Sequence, residues 1–219
     1  MKIIKGASGF GDALYLRVIV EWLLLNKPNS YTVLTNYPEV YKDLPIETDI
    51  LHSQKYNSID YYCHYLHGKT LHTTQWEDML NRAKLPYFPL TSQLENRKQY
   101  NSNDHEQIVL IAPYNSMNGA KGTKPMIPRF KEIIDYVSQY NNVIFINKKY
   151  KFLDLIKLFN QSSLIIGQVG WCVPLAEMLN IPLHAIFTKR ALNSEYKFIS
   201  QITPEKLLTK HTSKAIIME

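Results

Sequence analysis

Apolar residues along this chain form two kinds of run, short near-continuous ones and longer ones with a period close to that of a helix, and the two alternate. Lys2 to Lys5 reads as a first strand, Asp12 to Leu25 as a helix, and Tyr31 to Thr35 as a second strand carrying β-branched and aromatic residues. Asp49 to His52 is expected as a weak third strand, and Ser58 to Tyr65 to hold a fourth. Thr74 to Lys84 has helical spacing, with Thr73 or Thr74 as N-cap and Glu77 in the first turn. From Thr91 to Gln107 the periodicity is lost and the chain turns polar, as linkers do.

After that stretch the alternation restarts. Ile108 to Ala112 is expected as a strand, Pro113 to Pro125 as a loop, Pro128 to Tyr140 as a helix, Val143 to Asn147 as a strand and Phe152 to Asn160 as a helix. Strand Leu164 to Gly167, helix Val173 to Asn180 and strand Leu183 to Thr188 follow. Strands that are almost wholly apolar and alternate with helices predict parallel sheets covered on both faces, which bind ligands beyond their carboxyl ends. The pattern therefore predicts an α/β protein of two Rossmann-like domains, residues 1–95 and 108–219, joined by a linker at 96–107 and facing a central cleft.

Composition narrows the classes. The 219 residues are 45% hydrophobic and 20% charged, as in ordinary globular enzymes and unlike disordered or fibrous chains. The longest apolar run, Val18 to Leu25, is interrupted by Glu21 and is too short to cross a bilayer. No signal-peptide pattern precedes the glycine-rich loop, which predicts a cytoplasmic protein, in the host cytoplasm if phage-encoded. Cys63 and Cys172 lie far apart without ligand spacing, so they read as free, partly buried thiols. A formal charge of +6 makes a polyanionic partner plausible, DNA through a basic surface among them.

The candidate chemistry begins at Gly6-Ala7-Ser8-Gly9-Phe10-Gly11-Asp12, a glycine-rich loop between a strand and a helix. Such loops aim helix amides at anions, and the start resembles the short-chain dehydrogenase and epimerase family, which uses NAD. Three features argue against that family. Asp12 stands where its third glycine belongs, Val33-Leu34-Thr35-Asn36 ends without an acid for the ribose, and Tyr65-Leu66-His67-Gly68-Lys69, its YxxxK in form, comes too early.

Gly9-Phe10-Gly11-Asp12-Ala13-Leu14 more closely resembles the opening of the heptosyltransferase-like GT-B glycosyltransferases. The resemblance implies that Asp12 is a general base taking a proton from the acceptor hydroxyl, with Ser8, Gly9, Phe10 and Gly11 on the acceptor side. The bland alternative is a first-turn acid complementing the helix dipole. Ile111-Ala112-Pro113-Tyr114-Asn115-Ser116, followed by Lys121, Lys124 and Pro128-Arg129-Phe130, resembles the family's donor loop. It implies that Ser116 and Lys121 or Lys124 contact the donor diphosphate, where an ammonium stabilises the charge of the leaving group.

Ser163 to Pro182 resembles the family's segment that cradles diphosphate with the amides of Val169, Gly170 and Trp171. Gln168 and Pro174 stand where that segment has an Asp and a His near the donor sugar. Asn147 and Lys148 are expected at the nucleotide base or ribose, while Glu177 either holds a ribose or faces solvent, with solvent favoured. No DxD sequence occurs, so no metal and no cofactor are expected beyond a UDP- or ADP-linked nucleotide-sugar donor. His64, His67 and His72 with Tyr61, Tyr62, Tyr65 and Trp76 form an aromatic and imidazole-rich patch on the acceptor side; the bland alternative is ordinary core and surface aromatics.

Together these imply an inverting, metal-independent glycosyltransferase acting on a hydroxyl. Its acceptor is expected to be a hydroxymethylated DNA base or, alternatively, lipopolysaccharide or another glycan. Two further readings are a nucleotide-sugar-binding protein without catalysis and an NAD-dependent short-chain dehydrogenase or epimerase. Oligomeric state is left open.

Overall fold

The short apolar runs form the strands of two parallel sheets. A computed structural model describes residues 1–64, 75–94, 108–112, 142–146, 150–162, 164–168, 170–181, 183–188 and 214–218. Strands β1 (Lys2–Gly6), β2 (Tyr31–Thr35), β3 (Glu47–Ile50) and β4 (Tyr61–Cys63) make one parallel sheet in the order β3-β2-β1-β4. Strands β5 (Ile108–Ala112), β6 (Asn142–Phe145), β7 (Leu164–Gln168), β8 (His184–Thr188) and β9 (Lys214–Met218) make a second parallel sheet, ordered β6-β5-β7-β8-β9. All of β2 is buried, Thr32 and Thr35 included, as a strand sandwiched on both faces must be. The expected third strand lies two residues earlier than its pattern suggested, because β3 is an edge strand with mostly exposed side chains and little apolar signal. The edge strand β9 was not anticipated.

Helix α1 (Phe10–Asn26) is buried on nearly every side, from Phe10 through Leu23, rather than along one stripe. A helix apolar all round is enclosed by protein. One side of α1 meets the first sheet, and its N-terminal part meets helix α4 (Cys172–Met178) of the second half. Helices α2 (Gln75–Arg82) and α3 (Phe152–Gln161) complete the described helices longer than one turn.

Both α2 and α4 end earlier than their sequence pattern suggested, for the same reason. Lys84 and Asn180 adopt left-handed φ of 54° and 56°. Around them the amides of Leu85 and Ile181 bond back to the carbonyls of Leu80 and Ala176 at 3.0 and 2.9 Å, closing Schellman turns.

The charged pair inside α1 joins the pieces. Arg17 is 1% exposed, and its Nε donates to Glu21 Oε1 at 2.8 Å. Its two terminal nitrogens donate to both oxygens of Asp43 at 2.7 and 2.9 Å, and one of them also to the Val40 carbonyl. The guanidinium carbon lies 5.6 Å from the centre of the Phe152 ring at the start of α3. Glu21 in turn accepts from the Ser92 hydroxyl at 2.8 Å and the Gln93 amide at 3.0 Å. The Ser92 amide donates to the Met178 carbonyl of α4 at 2.9 Å. The first residues of the polar stretch are thus a brace between α1 and α4, with Ser92 and Leu94 buried. The rest of the expected linker and the expected helix at 128–140 lie outside the described residues. Among the described residues no helix is long and apolar enough to cross a membrane.

Removing the Glu21 carboxylate strips Arg17 Nε, the Ser92 hydroxyl and the Gln93 amide of a partner in a buried setting. Glu21→Ala is expected to cost about 3–5 kcal/mol in urea unfolding, whereas Lys55→Ala, which breaks an exposed pair with Asp49, should stay within about 0.5 kcal/mol of the parent. Equal effects of the two substitutions would contradict the brace.

Candidate active site

At the carboxyl end of β1 the chain turns into α1 through Gly9, an N-cap in extended conformation. Asp12, in the first turn, folds its carboxylate back so that Oδ2 accepts from the Gly9 amide at 3.0 Å, one arm of a capping box. A Cβ on Gly9 would lie 2.7 Å from that oxygen, so a side chain there would displace the carboxylate from this position. The other oxygen, Oδ1, accepts from Gln75 Nε2 at 3.1 Å, at the first residue of α2. Asp12 is therefore half-buried, oriented from two elements, and placed where parallel sheets present their ligand sites.

The second half reaches this loop directly. A Cβ on Gly11 would stand 3.3 Å from Trp171 Cα and 3.5 Å from Pro174 Cγ, so the missing side chain sets how closely α1 and α4 approach. The Phe10 ring is edge-on to Tyr37 at 5.3 Å and to Trp171 at 5.9 Å. Trp171 also contacts Phe159 of α3 at 6.1 Å and is 3% exposed, so its indole is packing and only its backbone is left for a ligand. Pro174, which stands in place of the His of the resembled family, packs against α1.

The remaining expected residues divide clearly. Gly170 lies beside Trp171 at the start of α4, and Ser8 is exposed, its carbonyl accepting from Asn36 at 3.4 Å. His64 stacks on Tyr62 at 5.8 Å with an angle of 8° between the rings. Trp76 does not belong to an exposed patch: it is buried, stacks on Tyr15 at 6.0 Å and donates its Nε1–H to the Phe88 carbonyl at 2.8 Å. Glu177 does not face solvent, being only 4% exposed, because α4 is enclosed on all sides. Ser116, Lys121, Lys124, Asn147, Lys148, Val169, His67, His72 and Tyr65 lie outside the described residues.

Cys63 and Cys172 are fully rather than partly buried, and burial pushes both thiols up, Cys172 to about 12, which keeps them protonated at neutral pH. Among the described residues no cluster of three or more His, Cys, Asp or Glu is placed to hold a metal ion. Two features are absent from the expectations drawn from sequence. Gln75 gives no signal of its own, whereas Arg17 and Glu21, opposite charges four residues apart inside an apolar helix, are a readable sign of a buried pair.

Compared by sequence, the chain matches no protein-family model and no curated protein. Compared by structure, it is similar to the iron-containing dodecameric glycosyltransferase TibC from enterotoxigenic E. coli H10407, with a TM-score of 0.58 and 14% identity over 84% of this chain. A second structure, the heptosyltransferase TibC in complex with ADP-D-beta-D-heptose, gives a TM-score of 0.60 and 14% identity over 89% of the chain. The E. coli ADP-heptose LPS heptosyltransferase II gives 0.57 and 13% over 100%. The fold is GT-B.

This GT-B chain spans 57% and 60% of the two TibC chains and 90% of heptosyltransferase II. The GT-B arrangement brings the end of β1 and the turn before α4 together, as the Gly11 and Trp171 contact shows. Gly11→Val would press branched carbons against backbone at that contact. It is expected to lower stability by about 1–3 kcal/mol in thermal unfolding, and an unchanged melting temperature would contradict the close approach.

Proposed function

We propose that the chain is a glycosyltransferase that moves a sugar from a nucleoside diphosphate donor to an acceptor hydroxyl, with Asp12 as general base. The observation that carries this reading is the Gly9 amide. In a dinucleotide-binding loop that amide would face a phosphate, whereas here the Asp12 carboxylate occupies it at 3.0 Å. A carboxylate held there repels a pyrophosphate and suits a proton acceptor, which also disfavours NAD as the ligand.

The donor diphosphate belongs instead at the carboxyl end of the second sheet. Ser116, Lys121 or Lys124 and the backbone at 169–171 would neutralise it without a metal, with Asn147 and Lys148 toward the nucleoside. In the reaction the acceptor oxygen attacks the anomeric carbon as its proton passes to Asp12. The bond from that carbon to the diphosphate oxygen breaks, and the nucleoside diphosphate leaves with the electron pair. A single displacement of this kind inverts the anomeric centre. An ADP-linked heptose is the donor to try first, since TibC was captured with one.

A glycan hydroxyl is the acceptor we favour, because the similarly folded heptosyltransferase II is an LPS enzyme. A hydroxymethylated DNA base is the second reading, supported by the net charge of +6 and the exposed Tyr62 stacked on His64. Salt-dependent retention on DNA would favour it.

Thermal shift against ADP, UDP and NAD is expected to show stabilisation by a nucleoside diphosphate. Asp12→Asn should keep that stabilisation and lose about 10²-fold or more in release of ADP from ADP-heptose. A response to NAD alone, or full turnover by Asp12→Asn, would overturn the assignment.

A further inference from the structure

We infer that Gln75 is a positioning residue for Asp12, holding carboxylate oxygen Oδ1 from α2 while the opening loop holds Oδ2. The inference rests on the general-base reading of Asp12. The two N–H donors come from parts of the chain far apart in sequence, Gln75 lying 63 residues beyond Asp12, and bind different oxygens, so turning the carboxylate about its Cβ–Cγ bond breaks both contacts. An ionised carboxylate only accepts hydrogen bonds, so the amide must present its NH2 group to Asp12.

The surroundings of Gln75 fix it for this task. Its neighbour Trp76 is anchored by the bond to the Phe88 carbonyl and by stacking on Tyr15 of α1, and Met79 and Leu80 are buried one turn on. The start of α2 is thereby locked to α1, the helix that carries Asp12. Glu77 and Asp78 already supply acid to the first turn of α2, so the helix dipole does not require a further polar group at Gln75. A glutamate there would set two carboxylates about one hydrogen-bond length apart, whereas the neutral amide supplies a donor without a competing charge. Tyr41 lies within electrostatic reach of Asp12; its hydroxyl is held by the Ala13 carbonyl at 2.9 Å, and burial pushes its ionisation far up.

The test uses the full chain labelled with ¹³C at the Asp carboxyl carbons, the Asp12 resonance being assigned with Asp12→Asn. In Gln75→Ala the Asp12 titration midpoint should move up, and in Gln75→Glu further up, with Lys55→Ala leaving it unchanged. Gln75→Met, which keeps the bulk, serves if the alanine variant unfolds. In ADP release from ADP-heptose, kcat of Gln75→Ala or Gln75→Met should fall about tenfold with KM nearly unchanged. An Asp12 midpoint that is the same in every Gln75 variant, alongside an inactive Asp12→Asn, overturns the Gln75 inference alone. Full turnover by Asp12→Asn overturns the base reading, and with it the catalytic meaning of Gln75.

Discussion

The geometry of the cleft follows from how α1 is held, because the same helix lies on the first sheet, touches α4 and carries Asp12 in its first turn. Its apolar sides need cover all round, which the second half helps to supply. The Arg17 and Glu21 pair in its middle has no access to water and is satisfied only when Asp43, Val40, Ser92 and Gln93 are all in place. Two charges taken out of water cost several kcal/mol each before their contacts repay it, so the pair adds less stability than its hydrogen bonds suggest. What it adds is selectivity: any other seating of α1, or of the segment at Ser92, strands a buried charge.

That constraint extends to the chemistry. With α1 fixed, the Asp12 carboxylate lies against the Gly9 amide, and Gly11 brings the backbone of Trp171 to the same place. The aromatic ring sequence Tyr37, Phe10, Trp171, Phe159 runs from the first half into the second and leaves the Trp171 indole no exposed face to offer. The site thus has one oriented carboxylate from the first sheet and one backbone turn from the second, an arrangement suited to a proton acceptor facing a separately bound donor.

Much of the fold was legible because parallel strands buried on both faces announce themselves as apolar runs. The strand Ile108–Ala112 was read to the residue, and Leu164–Gln168 to within one. The errors fall where burial stops deciding. β3 is a wet edge strand, and the helix ends at Lys84 and Asn180 are set by left-handed turns made without glycine. At the candidate site, the strand, glycine-rich turn and helix around Asp12 could be read from the sequence because the loop is local, while the role of Asp12 rests on the family resemblance. Gln75, Ser92 and the burial of Glu177 and Trp76 could not, because each depends on which elements the fold brings together from distant parts of the chain.

A structure of the protein soaked with ADP-heptose, or with ADP alone, distinguishes the two places a diphosphate could sit. Diphosphate density is expected at the carboxyl end of the second sheet beside Gly170, with the sugar directed toward Asp12 and the Gly9 amide still closed on the Asp12 carboxylate. Diphosphate bound at the Gly6 to Gly9 loop, with that closure broken, would contradict a general base at Asp12 facing a donor held by the second half.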